Sequence, residues 1–230
     1  MNQNKICIIL CGNDEQMEAN CVRWIQGLHV PEGYELENLI VHDAVSMAAG
    51  YNEAMAASDA KYKIYIHQDV YLIYKDLLAE LLHIFEDSYV GMLGVIGSPR
   101  LPENGVMWDG GRVGRWYESN SAVTEEYGIV FEQKPYAEVQ AVDGFFIATQ
   151  YDLPWREDLF GGWDFYDVSQ GMEFRRAGYK VVVPNLSHAW ALHNAEGMNL
   201  KDYFHWQKIF LKEYEKDLQR FGDKCQTGKG

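Results

Sequence analysis

Four short apolar runs, separated by three helix-like stretches, constrain this chain more than any other feature. They are Ile6-Cys7-Ile8-Ile9-Leu10, Leu39-Ile40-Val41, Tyr62 to Ile66 and Val90 to Ile96. The first, with no polar residue at all, reads as a strand buried on both sides of a sheet, the second as another buried strand, the third as a strand with Ile64 and Ile66 on one face, and the fourth as a strand. Between the first two, Cys21, Trp24, Ile25 and Leu28 recur at i, i+3, i+4 and i+7, one apolar helix face. Asn13 or Asp14 can cap that helix, and Gly27 and Pro31 close it. A small-residue helix is expected from about Ser46 to Ala57, and Leu77, Leu78, Leu81, Leu82 and Phe85 mark a third. The order β-α-β-α-β-α-β predicts an α/β fold, a mostly parallel central sheet with helices on both faces.

Ligands of such sheets bind beyond the carboxyl ends of the strands. The exits therefore matter: Cys11-Gly12-Asn13-Asp14, His42-Asp43 and His67-Gln68-Asp69. From Gly97 to about Pro135 the periodicity stops, and loops with short hairpins over the sheet edge are expected. The pattern resumes as a strand from Val139 to Thr149. A helix marked by Phe165, Val168 and Met172 follows and ends at Gly178, then a strand from Tyr179 to Val183. A C-terminal helix is expected from about Leu200 to Phe221, with Tyr203, Gln207, Phe210, Tyr214 and Leu218 along one side.

Composition narrows the function. There are 20 Lys+Arg against 34 Asp+Glu, a net charge of −14. That excess of carboxylates argues against neutralising nucleic-acid phosphates or sitting on anionic lipid. A phosphate-bearing small ligand stays open, because a metal can bridge carboxylate and phosphate. Neither GxGxxG after the first strand nor GxxxxGK[ST] nor GxSxG occurs, which disfavours a dinucleotide site, a P-loop and an α/β-hydrolase. Cys7, Cys11, Cys21 and Cys225 form no CxxC pair, so reduced, cytoplasmic thiols are expected. The apolar stretch ending at Leu10 is too short for a signal peptide or a membrane span. The 15 Tyr and 7 Trp supply flat side chains for a core or for a ring-shaped ligand.

At the third exit, Asp69 beside His67 suits a divalent cation that in turn holds a diphosphate, although Asp at a turn is also common. Here the order of residues becomes informative. Ala49-Gly50-Tyr51-Asn52-Glu53-Ala54 and Tyr65-Ile66-His67-Gln68-Asp69-Val70 resemble the nucleotide-sugar half of the family 2 glycosyltransferases. Gly161-Gly162-Trp163-Asp164-Phe165-Tyr166-Asp167, followed by Arg175 to Val181, resembles their acceptor half, and the WDFYD run looks like a bacterial subgroup. The resemblance implies the GT-A, nucleotide-diphospho-sugar transferase fold. It implies a DxD motif at the third exit, where His67 replaces the first Asp and Asp69 remains. It implies an acidic pair at the later helix, where Tyr166 replaces the first member and Asp167 remains.

The resemblance also assigns roles. Asp167 would be the base, with Asp164 one helical turn earlier able to compensate for the lost carboxylate. Mn2+ or Mg2+ would sit on Asp69 with His193 and His67; His188 is the lesser alternative. Cys11, Asn13, Asp43, Asn52 and Gln68 would face the donor, and Asp143, Gly144 and Trp163 the acceptor. Trp108, Trp116 and Tyr117 are weaker candidates for sugar contact, and Arg100 or Arg112 for the diphosphate.

The expected organisation is one GT-A-like domain over 1–198, nucleotide-binding over 1–96 and acceptor-binding over 97–198. A C-terminal helix, 199–230, packs on it, with a homodimer contact as the lesser reading. The expected function is inverting transfer of a sugar from a nucleotide diphosphate sugar, UDP by default, to a hydroxyl of a glycan acceptor. The alternative is a nucleotide-sugar-binding protein of the same fold without turnover. A nucleotidyltransferase and an interaction domain rank below both.

Overall fold

The computed structural model describes residues 1–120, 123–129, 134–195 and 200–224, the last four as backbone. In chain order the elements are β1 (Asn2–Gly12), α1 (Glu15–Gln26), β2 (Glu35–His42), α2 (Met47–Ala57), β3 (Ala60–His67), β4 (Val70–Leu72), α3 (Leu77–Ile84), β5 (Val90–Gly94) and β6 (Ile96–Ser98). A 3-10 turn at Met107–Asp109 leads to β7 (Val113–Ser119), β8 (Thr124–Ile129), β9 (Tyr136–Glu138), β10 (Ala141–Val142) and β11 (Phe146–Thr149). Then come α4 (Tyr166–Arg176), β12 (Lys180–Pro184), β13 (Ala191–Asn194) and α5 (Tyr203–Lys224).

The main sheet runs β2-β1-β3-β11-β5-β12-β9. β1 is parallel to β2 and β3, and β12 to β5, while β11 and β9 run antiparallel to their neighbours. Period-two alternation sorts its side chains into two cores. Ile6, Ile8 and Leu10 face one, shared with Cys21 and Ile25 of α1, Leu28 just beyond it, and Leu77, Leu78 and Leu81 of α3. Cys7, Ile9 and Cys11 face the other, shared with Tyr51 of α2 and Tyr166 of α4. That is the two-sided burial the apolar runs predict. Asp14 caps α1 by accepting from the Met17 N–H at 2.8 Å, and Ser46 caps α2 by accepting from Ala49 N–H at 3.2 Å.

Four expectations need correction. Trp24 is 44% exposed and stacks on Tyr71 instead of joining the core. Val90 to Ile96 is two strands in different sheets, β5 and β6. Val139 to Thr149 is not one strand either: β10 belongs to the second sheet and β11 to the first, so Asp143-Gly144-Phe145 is the crossing between them. The segment from 97 to 135 contains more regular structure than its aperiodic sequence suggests. β6, β7 and β8 lie in the second sheet, ordered β10-β6-β7-β13-β4 with β8 beside β7. A strand pair exposed on one face needs few apolar residues, which is why it escaped the pattern.

The C-terminal helix α5 packs against the α4 region. Phe210 and Tyr214 enter a third core with Phe165 and Met172 of the α4 region. Arg176 ties α4 to α5 through Glu213 at 2.9 Å and Asp217 at 2.6 Å. Cys7, Cys11 and Cys21 are buried free thiols; Cys225 lies outside the described residues. No helix among the described residues is long and apolar enough to cross a membrane.

Candidate active site

Strand register brings the three exits to one edge. Gly12 pairs with His42, and Cys11 pairs with both Val41 and His67. Gln68 braces that edge: its Oε1 accepts from the N–H groups of Asn13 (2.9 Å) and Asp14 (3.1 Å), and its Nε2 donates to Asn13 Oδ1 at 2.6 Å. Asp43 is exposed there, at a left-handed φ of 55° that Asp tolerates better than most residues. Two of the donor-facing candidates have other employment. Cys11 is buried beneath α2, where desolvation pushes its thiol up to about 12. Asn52 bonds the Trp155 backbone through both ends of its amide, donating at 2.9 Å and accepting at 2.8 Å, and so fixes a loop.

His67, Asp69 and His193 converge: one ligand atom from each lies within 4.8 Å of the others. β13 explains this, because His193 pairs with Val70 of β4 and with Glu118 of β7. Its Nε2 lies 3.5 Å from Asp69 Oδ2 and its Nδ1 3.4 Å from Glu118 Oε1. Phe145 stacks on the His193 ring at 4.9 Å and 9°. His67 meets the Tyr166 hydroxyl through Nε2 at 2.6 Å. Asp69 Oδ1 is buried without a hydrogen-bond partner, an arrangement that is costly unless something else uses the oxygen. Burial, then the neighbouring His193 charge, depresses His67 to about 4. Burial opposes the charge on His193, but Asp69 and Glu118 outweigh it and raise the ring to about 10. A cation-sized gap, an orphaned carboxylate oxygen and two ring nitrogens fit a divalent metal. His188 does not take part; it is exposed beside Tyr74, 5.5 Å between rings.

A cleft of about 1260 Å3 opens here, lined by His67, His193 and Glu118 of this group. Its floor holds Asp143, Gly144, Tyr166 and Asp167, and its walls include Trp108, Arg112, Trp163 and Phe204. Asp167 stands in the first turn of α4. Its Oδ2 accepts from Gly144 N–H at 2.9 Å and its Oδ1 from Val168 N–H at 2.8 Å. Burial, reinforced by the charge of Asp143, nevertheless pushes Asp167 up to about 7. Asp143 is itself raised by burial, although Phe145 N–H donates to it at 3.1 Å.

Asp164 lines the same cleft, but not by helical spacing. α4 starts at Tyr166, and Phe165 before it is left-handed at φ 61°, so Asp164 and Asp167 share no helix face. A bulky residue at that φ is strained, and such strain concentrates at functional sites. Burial and then Asp202 raise the Asp164 carboxyl. Trp163 is 52% exposed at the cleft wall, available as a flat platform. Trp108, Trp116 and Arg112 also line the cleft, the guanidinium lying 4.9 Å above the Trp108 ring; Tyr117 and Arg100 do not line it.

Glu118, Tyr203 and Phe204 are cleft residues that the sequence reading missed as site residues. Glu118 gave no signal within an aperiodic segment, Tyr203 read as helix packing, and Phe204 lies in the same helix off the apolar side.

A sequence model described as a glycosyltransferase-like family matches residues 7–214. The chain belongs to that family. No curated protein matches this glycosyltransferase-like chain by sequence. Solved structures match it by shape. The mannosyltransferase PcManGT from Pyrobaculum calidifontis, in complex with GDP-Man and Mn2+, superposes with a TM-score of 0.58 at 12% identity, over 95% of this chain and 65% of that one. S. aureus TarS 1-349 in complex with UDP gives 0.60 at 10%, over 95% and 69%. The same protein with UDP-GlcNAc gives 0.59 at 10%, over 95% and 70%. This glycosyltransferase-like chain thus spans about two thirds of the chains it resembles, and its architecture is the GT-A nucleotide-sugar transferase fold.

Proposed function

We propose that the protein transfers a sugar from a nucleoside diphosphate sugar to an acceptor hydroxyl with inversion, using Asp167 as base. The observation that carries this reading is the Asp167 carboxylate on the cleft floor, anchored by Gly144 and Val168 and raised to about 7. A general base is most effective when its pKa lies near the working pH, because it is then both ionised and basic enough to take a proton. In inverting transfer the base must stand on the side of the sugar away from the leaving diphosphate.

The half 1–96 would hold the donor and 97–198 the acceptor. Asn13, Gln68 and the exposed Asp43 at the strand edge would contact base and ribose, with UDP as the default since UDP and UDP-GlcNAc are the ligands in two structures of one similar protein. Asp69, His193 and His67 would hold Mn2+ or Mg2+, and Glu118 would orient His193. Such an ion supplies electrostatic stabilisation of the charge that develops on the leaving diphosphate. Asp143 and Gly144 border donor and acceptor. Trp163 would offer its face to the acceptor ring, and Asp164 would supply the carboxylate that Tyr166 lacks. The acceptor would be a glycan of a polysaccharide or cell-surface pathway, the protein would work in the cytoplasm, and the WDFYD run would mark its subgroup.

The second reading is binding without turnover. It is favoured by His67 and Tyr166, which stand where the resembled motifs carry carboxylates. A UDP-sugar hydrolysis and transfer assay separates the two. Turnover in the wild type that disappears in Asp167→Asn supports the enzyme; donor binding with no turnover under any acceptor supports the binder.

A further inference from the structure

Two of the three groups that converge beyond β3 are imidazoles, and both rings are fixed. The Tyr166 hydroxyl meets His67 at 2.6 Å. Glu118 backs Nδ1 of His193 at 3.4 Å, and Phe145 covers that ring's face. The third group, Asp69, offers the buried, unpartnered Oδ1.

We infer that this donor set selects a divalent transition ion over Mg2+, and that His67 is the residue setting the preference. Mg2+ demands hard oxygen ligands in near-octahedral geometry and keeps most of its waters. Imidazole nitrogen is a borderline donor that suits first-row ions such as Zn2+, and affinity for a nitrogen-containing site rises from Mn2+ to Co2+ along that row. A ring free to rotate could yield its place to a water and let Mg2+ in. His67 has less freedom to do so, because Tyr166 is buried with its ring wedged 5.9 Å from those of Tyr51 and Trp155. His193 is likewise held from behind. The inference rests on the metal-assisted reading above and goes beyond it by saying which ions the chain's own residues admit. Tyr166 acts through His67 as a positioning residue.

The test is binding, read by Mn2+ electron paramagnetic resonance, with UDP present throughout. Loss of the free-Mn2+ signal on adding wild-type protein reports binding. CoCl2 is expected to restore the signal, whereas a roughly hundredfold excess of MgCl2 is not. His67→Asp, checked for folding by circular dichroism, is expected to let MgCl2 compete. Tyr166→Phe is expected to weaken Mn2+ by about tenfold, the usual cost of losing a group that orients a ligand.

If wild-type protein binds Mn2+ and MgCl2 competes as well as CoCl2, the selectivity inference is overturned and the metal site stands. If Mg2+ is excluded equally from His67→Asp, the assignment to His67 fails. If Mn2+ does not bind the wild type at all, the metal-assisted reading fails and this inference with it. The wild-type competition needs no variant, so a misfolded substitution cannot blur the result.

Discussion

His67 and Tyr166 touch each other: the ring Nε2 and the phenol oxygen are 2.6 Å apart, across 99 positions of sequence. These are the two residues that stand in for carboxylates of the resembled motifs, so the two departures form one contact. The pair joins the metal-ligand end of β3 to the first turn of α4, where Asp167 follows Tyr166 directly. Tyr166→Phe keeps the packed ring and removes only the hydroxyl. It should cost about 1 kcal/mol of stability, the net worth of one hydrogen bond. A much larger fall in turnover than in melting temperature would show that the contact positions the site.

Asp167→Asn should lower kcat by about 10²- to 10⁴-fold, the usual range for losing a general base, with donor affinity little changed. The wild-type rate should rise with pH through about 7, since the base must be ionised; the neighbouring charge that acts on Asp167 is that of Asp143. Stability should run the other way. The folded carboxyl keeps its proton above its ordinary value of 3.8, so the contribution of Asp167 to stability falls as pH rises from about 4 to about 7 and then levels off. Asp167→Asn removes that slope, and melting curves at pH 5 and pH 8 check it.

Gly144 lies against Tyr166 and Asp167 so closely that a Cβ there would strike the Tyr166 hydroxyl and come within 3.2 Å of Asp167 Cβ. Gly144→Ala should displace both side chains, costing about 1–3 kcal/mol as an overpacked site does. Its kcat should fall towards that of Asp167→Asn. A fully active Gly144→Ala enzyme would remove Asp167 from the proposed position.

Trp163→Ala should raise KM for the acceptor while leaving donor KM unchanged, because the indole stands at the cleft wall and not at the strand edge. Acceptor-independent hydrolysis of the donor should survive. Loss of donor binding instead would mean that the halves of the site are reversed.

Lys63 tests the scaffold apart from the chemistry. It is fully buried on β3, donating to Ala60 O at 2.7 Å and to both oxygens of Asp152 at 2.8 and 3.0 Å. Asp152→Ala strands that charge and should cost about 3–5 kcal/mol. Combining it with Lys63→Met should recover most of the loss, as chemical denaturation would measure.

Much of the fold was legible because burial on both faces of a sheet leaves a strong mark. Ile6 to Leu10 could hardly be anything else, and Asp14 and Ser46 cap helices where short polar side chains usually do. The exits of β1 to β3 followed from strand order alone. The second sheet was not legible, since β7 and β8 alternate weakly and Val139 to Thr149 looks continuous although the chain changes sheets at Asp143. In the site, the metal candidates His67, Asp69 and His193 were named from sequence and resemblance, and they converge. Glu118 was not named, because nothing local distinguishes it from any surface glutamate. Asp164 was placed for the wrong reason: a left-handed Phe165 cannot be seen in a helical-spacing argument.

The sequence by itself determined the layered α/β core, through the hydrophobic effect acting on short two-sided runs. It also determined which residue types stand at the strand ends. Only the tertiary structure decided which of them meet. The pairing of His193 with both Val70 and Glu118, the contact of His67 with Tyr166 and the depth of Asp167 all depend on registers between strands far apart in the chain. A register is a property of two segments and of the turn or crossover that joins them, so no single stretch encodes it. The proton affinity of Asp167 has the same origin, because it comes from the surface removed from water around it and from Asp143, and neither exists until the chain has folded.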